Sequence, residues 1–289
     1  MKSIIQHLRF PFSILLMPVY LMALVSSSSV NGLNAIILFI VLHLLLYPAS
    51  NAYNSYQDRD EGSIGMVKNP LPTNKNLFYT SIIFDLSGLI IIALISNWTA
   101  LLLVFSYVLA SRLYSWRKIR LKQYAIIGFL TVFIFQGAII YSATIFFLGE
   151  QWSVHHFQMA AVSSFLFGGA YPLTQVYQHK TDAADGVNTL SMKLGIQGTF
   201  IFSGLMFVIG FVGLLLFNDF TFFSINYFWA FIWLIPVIIS FLSWQLLCFK
   251  KPELANYKNT MQNVLLSSVC MNLCMIHLLI LKYNLAISL

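Results

Sequence analysis

Two polar stretches of the chain can do chemistry. "NSYQDRDEG", Asn54 to Gly62, and "QHKTDAADG", Gln178 to Gly186, share one pattern: a side-chain amide, Asp four residues on, an acid seven on and Gly eight on. At about 100° per helical residue, offsets of four and seven return to nearly the same direction as the start. If the preceding helices continue into these stretches, Asn54, Asp58 and Glu61 share one face, and Gln178, Asp182 and Asp185 share another.

Such acids repel one another unless cations intervene. Carboxylates beside amide oxygens make a hard, all-oxygen site suited to Mg²⁺, which completes its shell with waters and phosphate oxygens. The two stripes therefore predict a metal site of Asn54, Asp58, Glu61, Gln178, Asp182 and Asp185, bridged by a phosphate or diphosphate. Solvated loop charge is the plainer reading of either stretch alone, and the matched spacing in both favours the site.

A basic segment, Arg112 to Gln123, could hold the rest of a diphosphate's charge through Arg117, Arg120 and Lys122. It also reads as an ordinary positive anchor. His43, Tyr47, Asn51, Asn54 and Asp58 recur at helical spacing and predict a polar stripe leading down to the metal, with the first three lining a cavity. Asp85 is a lone acid within an apolar run, open to a functional role or to bonding a neighbour's hydroxyl, with the structural role favoured. His155 and His156 read as interfacial, and Cys248, Cys270 and Cys274 as packing residues.

Positioning such groups falls to very apolar elements. Hydrophobic residues make up 59% of the chain and charged ones 9%, with a mean hydropathy of +0.80, which excludes an ordinary soluble surface. Apolar runs near 10–28, 33–50, 77–96, 99–115, 124–148, 152–177, 199–217, 223–248 and 261–287 are each long enough to cross a bilayer as a helix. They lack the alternation of barrel strands. The expected fold is an all-α integral membrane bundle of nine transmembrane helices in one domain, 1–289, with polar loops at 51–76 and 178–198 and the basic loop at 112–123. The first run resembles a signal peptide, but Pro11, Pro18 and its length suit a retained first helix. With the N-terminus cytoplasmic, every Lys and Arg except Lys282 falls on the inner side. The net charge of +7 thus reflects orientation and attraction to anionic membrane lipids, and nucleic acid is not an expected partner.

These residues resemble the UbiA superfamily of intramembrane prenyltransferases. The resemblance spans the chain in helix count, loop order and motif placement, and includes "LYSWRKIRLKQ" and "DGVNTLSMKLG". It implies nine helices around a central cavity, a multi-pass protein of the cell membrane with its site facing the cytoplasm, and Mg²⁺ holding an isoprenyl diphosphate. The motifs depart from the family's pattern. In the first, Asn54 and Asp58 match, while Ser55 and Gly62 stand where Asp is usual. In the second, Asp182 matches the final Asp, Ala170, Thr174 and Gln178 replace Tyr, Lys and Asp, and Tyr171 is one residue off. Asp58 and Asp182 are then the expected catalytic pair, with Glu61 and Asp185 replacing the missing carboxylates. Lys68 would stand for the Arg of an Asn-Arg-Pro segment.

The expected reaction is ionisation of an isoprenyl diphosphate and transfer of the prenyl group to a lipophilic acceptor, an aromatic ring or quinone precursor. The rivals are a membrane terpene cyclase using the same site and a non-catalytic lipid-binding or transport relative.

Overall fold

The computed structural model describes residues 2–60, 62–217 and 225–283. Its helices are α1 (Lys2–Ser26), α2 (Gly32–Asp58), α3 (Lys75–Ile95), α4 (Trp98–Ser115), α5 (Ala125–Phe147), α6 (Val154–Leu173), the short α7 (His179–Ala184), α8 (Leu190–Phe217), α9 (Phe228–Lys250) and α10 (Tyr257–Tyr283). Eight of them, all but α6 and α7, are long and apolar enough to cross a membrane. α6 occupies the place of the expected sixth span but carries His155, His156, Gln158, Ser163 and Ser164, which lower its hydropathy.

Helix starts follow from local side chains that satisfy the first free backbone N–H groups. Asn31 accepts from Leu33 and Asn34, Asn74 from Asn76, Asn97 from Ala100, and Ser153 from His156, opening α2, α3, α4 and α6. α1 is broken at Arg9, which adopts φ 49°, and α2 and α5 contain π-helical segments at Val41–Leu46 and Phe133–Ile139. α8 is kinked at Gly195, whose φ of 67° is open to glycine at little cost.

α6 lies against α5 and α8, and small residues permit this. A Cβ added at Gly137 would lie 2.4 Å from Ser164 Cα, and one at Gly210 would meet the Leu166 side chain at 2.7 Å. Close backbone approach of this kind is how helices pack where water supplies little drive. The main core joins Val19–Val25 of α1 to residues of α2, α4, α5, α6 and α10.

Two polar locks hold the bundle. Asp85 of α3 pairs with Arg112 of α4, whose guanidinium also donates to Ser81 Oγ at 3.2 Å and lies 4.1 Å from the centre of the Tyr53 ring. The partner of Asp85 is thus a cation rather than the hydroxyl expected. At the other end of α2 and α5, Glu150 accepts from Ser27 Oγ at 2.6 Å, Ser28 Oγ at 2.8 Å and Ser29 N at 3.0 Å, tying the α1–α2 connection to the α5–α6 connection. Cys248, Cys270 and Cys274 are buried and unbridged, as packing residues should be.

Candidate active site

The two acid stretches meet at one end of the bundle, but not as continuous helical faces. α2 ends at Asp58, because Arg59 takes a left-handed conformation with φ 56°. Asn54 and Asp58 remain one turn apart on α2, the proposed face stops there, and Glu61 lies outside the described residues. In the second stretch α6 ends at Leu173, and the separate α7 begins after Gln178 and ends before Asp185. Gly186, with φ 71°, turns the chain away. The expectation that the preceding helices continue through both stretches is therefore corrected: α2 stops at left-handed Arg59, and α6 stops at Leu173, so that Gln178 and Asp182 share a turn of the separate α7, where Asp182 N donates to the Gln178 carbonyl at 2.8 Å.

The basic segment binds the two loops together. Lys122 Nζ donates to Asn54 Oδ1 at 2.9 Å and pairs with Asp58 Oδ2. Arg120 Nη2 meets Asp58 Oδ1 at 3.0 Å and pairs with Asp185 Oδ2, while its Nη1 donates to the Asp185 carbonyl at 2.9 Å. Arg117 reaches Asp185 Oδ1 at 3.3 Å from outside and donates to the Gln57 carbonyl. Ser115 Oγ donates to Asn54 Oδ1 at 2.8 Å. Residues 124–125 also bridge in parallel to 188–189, fixing the end of the basic segment beside the second loop. The segment read either as diphosphate-binding or as an anchor thus supplies Arg117, Arg120 and Lys122 as the ion-pair partners of Asp58 and Asp185 among the described residues.

Asp182 behaves differently. Its carboxylate forms no ion pair or side-chain hydrogen bond with any described residue. Burial pushes it up to about 6, and the nearby Lys122 opposes that shift while Asp58 adds to it. Burial works against ionisation of Asp185 too, but Arg120 and Arg117 hold its carboxyl below the ordinary range. Asp60 is also raised by burial, with the Arg9 charge opposing, and its Oδ2 is buried without a hydrogen-bond partner among the described residues.

These groups form the mouth of a cavity of about 1170 Å³. Among the described residues, four acids, Asp58, Asp60, Asp182 and Asp185, and four bases, Arg9, Arg59, Arg120 and Lys122, line it. Deeper in, the walls are apolar and aromatic: Leu16 and Met22 of α1, Tyr107 of α4, Phe135 of α5, Phe167 of α6, Phe207 and Phe211 of α8, Phe241 and Trp244 of α9, and Met271 of α10. Tyr171 lines the wall, bonded to Tyr114 and accepting from Gln175 Nε2 at 2.8 Å.

Of the sequence-derived residues, Asn51, Asn54, Asp58, Tyr171, Gln178, Asp182, Asp185, Arg120 and Lys122 line this cavity. His43 and Tyr47 do not: both are fully buried, stacked among Tyr20, Phe39 and Tyr107. The π-helical segment spanning His43 breaks the regular spacing on which the stripe was drawn. Arg117 and Lys68 are exposed and do not line the cavity. Sequence reasoning missed Arg9 and Asp60 as lining groups. Arg9 resembles any inner-face anchor, and only its left-handed turn brings it to the mouth.

The donors suit a hard cation. Asn54 Oδ1 and Asp58 Oδ2 already converge on a positive ion, the Lys122 ammonium, which stands in for a metal at these oxygens. No group of three His, Cys, Asp or Glu side chains gathers among the described residues, so a metal here would draw the rest of its shell from water and substrate oxygens.

A family model, UbiA prenyltransferase family, matches residues 15–269. Among solved structures, a UbiA homologue from Aeropyrum pernix K1 is 16% identical, with a TM-score of 0.69 over 93% of this chain and 97% of that one. A UbiA homologue from Archaeoglobus fulgidus bound to DMAPP and Mg²⁺ is 14% identical, with a TM-score of 0.63 over 96% of this chain and 99% of that one. A structure described for digeranylgeranylglyceryl phosphate synthase is 19% identical, with a TM-score of 0.63 over 98% of each chain. The comparison with curated protein sequences gives no match.

Proposed function

The chain belongs to the UbiA prenyltransferase family, and from that premise we propose that it ionises an isoprenyl diphosphate at the mouth described above and transfers the prenyl group to a lipophilic acceptor. One observation carries the reading: Asn54, Asp58 and Asp182 stand beside Arg120 and Lys122 at the polar mouth of a deep apolar chamber. An amphiphile with an anionic head and a hydrocarbon tail matches that division.

Asn54, Asp58 and Asp182, helped by Gln178, would hold Mg²⁺, which when bound would neutralise charge developing on the leaving diphosphate. Arg120 and Lys122 add positive charge beside the same oxygens, and Arg9 faces them from α1. The hydrocarbon tail lies along Phe167, Phe207, Phe211 and Phe241. Their faces stabilise an allylic cation at C1 and keep out the water that would quench it. The acceptor enters the same chamber, attacks C1 and loses a proton as its ring is restored. The released diphosphate, held at the same mouth beside Arg120 and Lys122, is a base within reach of that proton.

The concentration of Lys and Arg at this end supports a cytoplasmic site in a cell membrane. The test is product analysis with purified protein, Mg²⁺ and farnesyl or geranylgeranyl diphosphate, with and without lipid-extracted acceptors. A prenylated acceptor formed only when acceptors are present is the expected result. A cyclic hydrocarbon released without acceptor would instead indicate a cyclase, and no consumption of diphosphate ester would count against both.

A further inference from the structure

Lys122 occupies the position at Asn54 and Asp58 where a metal is needed. Its ammonium touches Asn54 Oδ1 and Asp58 Oδ2, the two first-loop oxygens best suited to a divalent cation. An ammonium and a dication cannot share two oxygens that meet at one point, because at such separations their repulsion amounts to several kcal/mol in a partly buried setting. The Lys122 side chain is 11% exposed and that of Asp58 13%, so water does little to screen them. The other oxygen of Asp58 is held by Arg120, which remains anchored on the Asp185 carbonyl. Between these two cations, Lys122 is the one able to move, since it has a single flexible stem and a rotatable point charge, whereas Arg120 is braced by several hydrogen bonds.

We infer that Lys122 is an exchangeable counter-ion: it holds Asp58 and Asn54 until a diphosphate draws its ammonium onto phosphate oxygens, and only then do those two oxygens accept a divalent metal. This deepens the proposed function and rests on it. Among the described residues the mouth carries four acids against four bases. A dication arriving alone therefore displaces Lys122 with no new partner for it, and a diphosphate arriving alone leaves Asp58 facing phosphate. Each ligand lacks what the other supplies, so their binding is coupled, and the coupling is reciprocal. The exchange keeps the diphosphate site closed to free metal and makes loading depend on substrate.

The test uses the purified full-length protein in detergent, with Mn²⁺ as the probe because its free-ion paramagnetic resonance signal disappears on binding. Lys122→Gln is expected to bind Mn²⁺ alone at least about tenfold more tightly than the unaltered chain. Lys118→Gln, which removes the same charge from an exposed position on the same segment, is expected to leave Mn²⁺ affinity unchanged. Retention of radiolabelled geranyl diphosphate in the presence of Mn²⁺ is expected to weaken about tenfold in Lys122→Gln. Lys122→Met, which keeps the stem, gives a second measurement if the Gln variant folds poorly. Equal Mn²⁺ affinity in the Lys122 variants and the unaltered chain would overturn the exchange alone. Failure of the unaltered chain to retain geranyl diphosphate with Mn²⁺ would overturn the proposed function and the exchange with it.

Discussion

Two aspartates three residues apart, Asp182 and Asp185, have opposite environments, and this separates their roles. Asp185 is spent on Arg120 and Arg117, which hold it ionised and tie the second loop to the basic segment. Asp182 has no such partner among the described residues and is pushed up to about 6 by burial. Asp182→Asn should therefore lower turnover by about 100-fold or more, as expected for a group acting on charge at the reacting centre. Asp185→Asn should chiefly loosen the loop, with a drop in Tm and less than about a tenfold loss in kcat/KM. Equal kinetic losses at saturating Mg²⁺ would contradict this division. The repeated spacing alone makes these acids equivalent, and only the family resemblance set Asp182 apart as catalytic, with Asp185 as a substitute metal carboxylate. What distinguishes them is a contact from a segment more than sixty residues away in the chain, which no local pattern encodes. Asp58 was legible because its helix runs unbroken to it, whereas the stripe beyond it was not, because Arg59 leaves the helix with a left-handed turn of a kind more often made by glycine.

At the scale of elements, two locks make separate demands. The Asp85–Arg112 pair joins α3 to α4 within the apolar region, where removing one partner strands a charge. Arg112→Met should destabilise the protein by about 3–5 kcal/mol, and Arg112→Met with Asp85→Leu should recover much of that, both read as thermal or denaturant unfolding in detergent. If the double variant is no more stable than the single one, the pair is not acting as a coupled charge. Glu150 closes the other end. Burial alone would raise it, but hydrogen bonds from Ser27, Ser28 and Ser29 hold its carboxyl below the ordinary range. A carboxylate depressed in the folded state contributes stability above its unfolded pKa of about 4.3 and loses it as pH falls through the folded value. Tm should therefore fall on acidification below that range, and Glu150→Gln should flatten the fall at a cost of about 1 kcal/mol at neutral pH; an identical acid limb in the variant would assign the fall to other groups. The apolar runs foretold most of these elements, since backbone groups in a bilayer leave helix as the economical choice. They could not foretell the composition of α6, whose Gly, Ser and His residues are explained only by neighbours packed on several sides.

For the whole molecule, the chamber sets an apolar space behind the charged mouth, and the proposed function places the hydrocarbon tail there. Gly204 lines it, and a Cβ there would meet Phe241 only at an ordinary 3.7 Å, so a larger side chain would point into open space. Gly204→Phe should weaken binding of geranylgeranyl diphosphate at least about tenfold, roughly the value of burying a few methylenes, while dimethylallyl diphosphate binds as before. Equal losses for both would mean that the tail does not run past α8. The bundle was legible from composition, and the chamber was not, because its walls come from many separate helices whose apolar side chains look like ordinary core in one dimension. The account stands most directly on one measurement: diphosphate release from geranylgeranyl diphosphate by the purified protein with a lipophilic acceptor pool, with Mg²⁺ present or chelated, for the unaltered chain and for Asp58→Asn and Asp182→Asn. The prediction is release that requires Mg²⁺ and falls by about 100-fold or more in each variant. Release that survives both substitutions, or its absence from the unaltered chain under every condition, would contradict the assignment of this mouth as the site of ionisation.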